Sequence, residues 1–153
     1  MNEELEFVTY CGLYCELCAE RGRIPQRAAA LQAAMTDEGW PSWGQAMPGF
    51  AGFWEFLEKL QAGGGCPGCR ADGGYPQCKI RICARSRGVE LCAECTDFPC
   101  AEIERLGGIY ATLLADNRRL RAVGMEQWRR EQDERVRRGF AYADVRYRAE
   151  TPE

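Results

Sequence analysis

The sequence predicts a mainly α fold: a small helical domain around an irregular, cysteine-rich and metal-stabilised centre, with zinc-ribbon-like loops and little or no sheet. Three observations predict it. Apolar residues recur at the three- and four-residue spacing of a helix face in residues 50–60 and again after residue 101. Ten cysteines fall in two clusters, at residues 11–18 and 66–100, and the chain has no histidine. The second cluster opens in GGGCPGCRADGGYPQC, where glycine permits positive φ and proline fixes turns. Such a loop has little apolar surface to hold itself closed, so a covalent or coordinate tie is expected.

The 153 residues fit a single cysteine-rich domain, 1–153, able to bury roughly two thirds of its unfolded surface without disulfide staples. Residues 1–20 carry the first cysteine cluster, 21–62 none, 66–100 the second cluster, and 101–139 a helical C-terminal part. Pro25 to Met35 reads as a short helix, with Pro25 suited to its first turn. Phe50, Phe53, Trp54, Leu57 and Leu60 mark one face of a second helix, which Gly63 to Gly65 should end. Between them, GWPSWG places Trp40 and Trp43 in a loop broken by Pro41, with core packing as their expected role.

After Cys100, Ile103 and Leu106 belong to one short helix, interrupted by Gly107 and Gly108. Ile109, Leu113, Leu114 and Leu120 then carry an apolar stripe up to about Gly124. A further helix runs from Met125 to Arg138, anchored by Trp128 and stopped by Gly139. Within it, Glu131 stands four before Arg135 and Glu134 four before Arg138, the order that favours ion pairs. Phe140, Tyr142, Val145 and Tyr147 alternate in GFAYADVRYR, as a short edge strand or a tail packed on the helices.

Composition narrows the function classes. The stretch MNEELEFVTYC lacks a basic region and an apolar core, so no secretory signal is expected, and no apolar run approaches a membrane span. A cytoplasmic location follows as an expectation, with cysteines kept as thiolates for metal or redox work. The net charge of −3 argues against a nucleic-acid partner. Yet charge is unevenly spread, with nine acids against four bases in residues 1–60 and fourteen against sixteen in 61–153. Lys79, Arg81, Arg85 and Arg87 bunch in what reads as a basic loop, and Arg118, Arg119 and Arg121 form a second group. Solvated faces are the expected reading of both, ahead of phosphate binding.

The cysteines carry the chemistry. Cys66 and Cys69 form CPGC and Cys92 and Cys95 form CAEC, two pairs of the kind that wrap a tetrahedral ion. Local spacing offers Cys66, Cys69, Cys78 and Cys83 as one set, leaving Cys92, Cys95 and Cys100 short of a fourth ligand that Cys11, Cys15 or Cys18 would supply. Crossed pairing of Cys66 and Cys69 with Cys92 and Cys95 fits the spacing equally. A thiolate-only shell suits zinc, one or two ions, or as the alternative an iron–sulfur cluster, and disfavours calcium and magnesium. Without histidine, the usual general base at neutral pH and the Ser-His-Asp triad are both missing. CPGC resembles a thiol–disulfide motif, but its glycine loop is not the strand-to-helix turn that chemistry uses. GGIY and GGGC lack the lysine and spacing of a phosphate loop.

Two family resemblances bear on this. The CxxxCxxC of Cys11, Cys15 and Cys18 resembles the signature of radical S-adenosylmethionine enzymes, but the chain is too short for their β/α barrel and has Leu17 where they usually carry an aromatic. A wider resemblance rests on CGLYCELC, on GCPGC followed by CKIRICARSRGVELCAECTDFPCAEI, and on the late VGMEQWRREQDER. Together, from about residue 8 to 138, these are similar to the bacterial and archaeal domain-of-unknown-function family 3795, and all ten cysteines match its pattern. That resemblance implies a cysteine-rich domain and no particular reaction.

The expectation is thus a metal-binding structural or binding domain rather than an enzyme, with a protein or small-molecule partner. Iron–sulfur redox or electron transfer is the alternative. A metal-linked regulator is a further one, acting through oxidation of Cys15 or Cys18 or through nucleic-acid binding.

Overall fold

The computed structural model describes residues 5–62 and 66–146. The expected ends at Gly63 to Gly65 and at Tyr147 lie outside the described residues. Six helices follow in order: α1 (Arg23–Asp37), α2 (Trp40–Trp43), α3 (Phe50–Gln61), α4 (Lys79–Arg87), α5 (Ala101–Gly107) and α6 (Leu113–Arg137), with short 3-10 turns such as Cys15–Leu17 and Cys92–Glu94. Among the described residues, pairing of extended backbone is limited to two isolated bridges, Val8 with Tyr14 and Tyr110 with Arg146. The mainly α expectation holds. The described residues fall in two compact units: 19–62 with Cys66 form one, and 5–18 with 67–146 form the other.

In the first unit α1 packs on α3, and Gln61 Nε2 donates to Gln32 Oε1 at 2.6 Å. Ala28 is the buried residue of α1, while α3 buries Phe50 and Leu57. The GWPSWG segment is a helical turn rather than the expected loop. Pro41 lies in its first turn, where its missing N–H costs nothing, and Gly39 enters it with φ +77°. Trp40 packs on Trp43 with ring centroids 4.2 Å apart and stacks on Phe50 at 6.1 Å. Trp40 thus serves the core, but Trp43 keeps half its surface exposed.

The second unit is built round Trp128, which is fully buried and donates from Nε1 to the Asp116 carbonyl at 3.0 Å. Leu5, Val8, Tyr14, Leu17, Leu91, Ala93, Leu120 and Tyr142 complete this core. A buried Trp of this kind is worth about 3–5 kcal/mol on truncation. Tyr14 meets Trp128 edge-on at 6.0 Å, donates its hydroxyl to Asp133 at 2.7 Å, and donates its backbone N–H to the Tyr142 hydroxyl at 2.9 Å. Burial beside Asp133 pushes the Tyr14 phenol up to about 12.

The break expected near Gly124 is present: α6 carries non-helical φ/ψ there, 81° and 168°. Gly139 (φ +78°) ends it as expected, its N–H on the Val136 carbonyl and that of Phe140 on Arg135. Of the two expected ion pairs, Glu134 with Arg138 forms, at 2.8 Å. Glu131 instead meets Arg119 across the break, and Arg135 meets Asp116 at 2.9 Å. Residues 140–146 are a packed tail, with Ala141 and Tyr142 buried and a 3-10 turn at Tyr142–Asp144. No helix among the described residues is long and apolar enough to cross a membrane.

Candidate metal centre

The segment Lys79–Arg87, which the sequence presented as a basic loop, is helix α4. Its residues Lys79, Ile80, Cys83, Ala84 and Arg87 recur at helical spacing and so share one face. That face forms one wall of a cavity of about 70 Å³. The CAEC turn supplies Cys92 and Cys95 to it, and Val89, Phe98, Cys100, Glu102 and Ile103 complete the lining. Four cysteines from α4, a turn and the start of α5 therefore face one space.

Local hydrogen bonds fix these cysteines. The Cys92 N–H donates to the Tyr10 carbonyl at 2.7 Å, and the Cys95 N–H to Cys92 at 3.1 Å. Cys100 is the residue preceding α5, and its carbonyl accepts the Glu104 N–H at 2.9 Å. Arg87 donates to Asp97 at 2.6 Å; with that carboxylate and the Cys95 and Cys83 thiols beside it, its guanidinium is held above the usual range. Burial, and then the neighbouring Cys11, Cys100, Cys95 and Cys83, push the Cys92 thiol up to about 12. A thiol held as Cys92 is keeps its proton unless a cation replaces it.

A second association joins Cys11 to Cys69 and Cys78. Cys78 packs against the buried cluster of Cys11, Ile80 and Ile103. Burial raises the Cys11 thiol to about 11 against the pull of its Thr9 hydroxyl contact at 3.1 Å, and Cys69 and Cys78 add to the rise. Cys83 thus lines one cavity with Cys92, Cys95 and Cys100, whereas spacing alone also offered it to a set with Cys66, Cys69 and Cys78. Cys15 is buried and Cys18 exposed, and neither lines the cavity. Cys66 lies in the other unit, where its carbonyl accepts from Arg21 at 3.4 Å. All ten cysteines are free thiols. Among the described residues, no group of three or more Cys, Asp or Glu side chains stands in an arrangement that could hold a metal ion.

Arginine side chains hold the glycine-rich loop through its carbonyls. Arg81, 4 % exposed, donates to the carbonyls of Cys69 (3.4 Å), Gly73 (2.7 Å), Tyr75 (3.0 Å) and Pro76 (3.1 Å). Arg70 donates to the Leu5 and Val8 carbonyls at 3.0 and 2.9 Å, pairs with Glu90, and lies over the Tyr10 ring. Sequence reasoning missed both residues, because arginine in a polar run reads as solvated. Arg85 pairs with Asp72 and Arg87 with Asp97. The segment expected as a basic loop is therefore a helix, and the guanidinium groups of Arg81, Arg85 and Arg87 are paired within the chain.

No curated protein matches the chain, and no solved structure does. The model of one protein family matches residues 7–105, a span that takes in every cysteine but ends before the VGMEQWRREQDER stretch. The chain therefore belongs to the family described as protein of unknown function, DUF3795.

Proposed function

We propose that this chain is a thiolate metal-binding domain in which Cys83, Cys92, Cys95 and Cys100 hold the metal and the bound centre fixes α4, the CAEC turn and α5 to one another. The observation that carries this reading is the convergence of those four cysteines on one cavity. The donor set suits zinc or iron–sulfur chemistry and has nothing to offer calcium or magnesium beyond the carboxylate of Glu102. The role is structural or binding rather than catalytic, since the lining contains no histidine and its other polar groups are Lys79, Arg87 and Glu102.

Metal analysis of protein purified without oxygen or chelator tests the reading. The parent should retain a thiophilic metal, and Cys92→Ser with Cys95→Ser should lose it together with part of its unfolding cooperativity. Bound structural zinc contributes roughly 10–16 kcal/mol in small zinc peptides, so even a fraction of that would be plain in a melt. A double variant that keeps the parent's metal content and melts as sharply would remove these residues from the centre.

A further inference from the structure

Resting on that reading, we infer that the pocket of Cys83, Cys92, Cys95 and Cys100 is built for an iron–sulfur cluster rather than for one zinc ion. Two geometric facts carry the inference. The first is the size of the cavity that the thiols line. A lone zinc draws its sulfurs to about 2.3 Å, which leaves no room inside the shell. The cavity these cysteines line measures about 70 Å³, whereas a space of about 10–15 Å³ on the same kind of measure already holds one water. The cavity has the volume of several waters, the scale of a group of iron and sulfide atoms.

The second fact is the disposition of the thiols. Among the described residues, no three Cys, Asp or Glu side chains could share one ion, yet four cysteines line this one cavity. The thiols are therefore distributed round a wall rather than gathered at a point. A cluster asks for that arrangement, because each thiolate binds a different part of a polynuclear core, and four cysteines are its usual complement. The elements that carry the thiols are themselves fixed: Cys83 by α4, Cys92 by its bond to Tyr10, and Cys100 by its place at the start of α5.

The rest of the lining agrees. Ile80, Ala84, Val89, Phe98 and Ile103 supply an apolar wall, and Lys79 and Arg87, the latter also paired with Asp97, bring positive charge to the lining opposite the negative charge of thiolates and bridging sulfides. Glu102, which lines the same cavity, pairs with Arg105 at 2.9 Å and lies 3.9 Å from Lys79.

The test is reconstitution of the full-length apoprotein under nitrogen, once with ferrous iron plus sulfide and once with zinc alone. The expected result is a brown protein with iron and acid-labile sulfide in equal amounts, in which Cys83, Cys92, Cys95 and Cys100 are protected from alkylation while Cys18 still reacts. The Cys92→Ser, Cys95→Ser variant should then bind a small fraction of the parent's sulfide. Alkylation mapping of the parent keeps the test valid if that variant fails to fold. Zinc retained with no sulfide taken up would overturn the cluster and leave the metal-binding reading standing. Retention of neither metal would overturn both, and a cluster formed with these four thiols still open to alkylation would overturn the assignment of the site.

Discussion

The buried amide of Asn117 donates from Nδ2 to the main-chain carbonyl of Cys11 at 3.0 Å, joining residues 106 positions apart. Its Oδ1 lies over Gly12, where an added Cβ would stand 2.3 Å away, and Gly12 itself has φ +84°. Helix α6 thereby sets the turn that carries the first cysteine, and only glycine fits beneath the amide. Asn117→Ala should cost about 1–3 kcal/mol through the lost buried hydrogen bonds. Gly12→Ala should cost more, since about 1–2 kcal/mol of backbone strain adds to displacement of the amide. Thermal melts check both, and the double variant should fall short of additivity because the two changes damage one contact. An unchanged midpoint in Gly12→Ala would mean that the contact is not made in solution.

Arg81 should be the most sensitive charged residue of α4. Lysine is a compact point donor and cannot span four carbonyls, so Arg81→Lys and Arg81→Met are both expected to lose roughly 3 kcal/mol, with a charge-assisted bond worth about 1.5–3. Arg85, whose partner Asp72 is 68 % exposed, should change stability by about 1 kcal/mol or less when replaced by alanine. Amide exchange across residues 69–76 supplies the local readout. Equal losses for the two arginines would show that the loop carbonyls are satisfied in another way.

Arg81 also shows where the sequence stopped being legible. Helices with an apolar face at 3.6-residue spacing, such as Phe50–Gln61, could be read directly, as could the glycine stops at Gly124 and Gly139. The segment KIRICARSR could not, because its inward face is made of Ile80, Arg81 and Ala84, and a buried arginine defeats any rule that counts charge as exposure. The partition of the cysteines was hidden for a different reason. Spacing limits which residues can share a local turn, but Cys83 reaches the CAEC turn because α4 aims it there, and that orientation depends on knowing that α4 is a helix. Glu131 chose Arg119 over Arg135 by the same logic, since the break at Gly124 brings the two halves of α6 together side by side.

That break yields an expectation of opposite sign to helix propensity. In a continuous exposed helix, Gly→Ala stabilises by about 1 kcal/mol. At Gly124, φ 81° and ψ 168° lie in a region open essentially to glycine alone. An added Cβ meets nothing within 4 Å, so the effect is purely conformational. Gly124→Ala should therefore destabilise, by about 1–3 kcal/mol, and the sign of the shift in a urea melt decides the matter. Stabilisation would mean that α6 runs through in solution.

The contact that the break creates has its own pH signature. Arg119 donates from Nε to Glu131 Oε2 at 2.9 Å, and Gln127 Nε2 donates to Oε1 at 3.2 Å. These hydrogen bonds, the arginine's first, hold the Glu131 carboxyl down at about 2 from an ordinary 4.5. A carboxyl depressed by folding stabilises the folded state above its unfolded pKa and loses that contribution as pH falls through the folded one. Glu131→Gln should thus be less stable than the parent at pH 7, and the difference should shrink as the pH is lowered from about 4.5 towards 2. Arg119→Gln should lower the neutral-pH stability in the same way and leave a further Glu131→Gln change with little left to remove. Parallel pH profiles for parent and Glu131→Gln would show that the carboxylate is not held by Arg119, and that the two halves of α6 are joined without this ion pair.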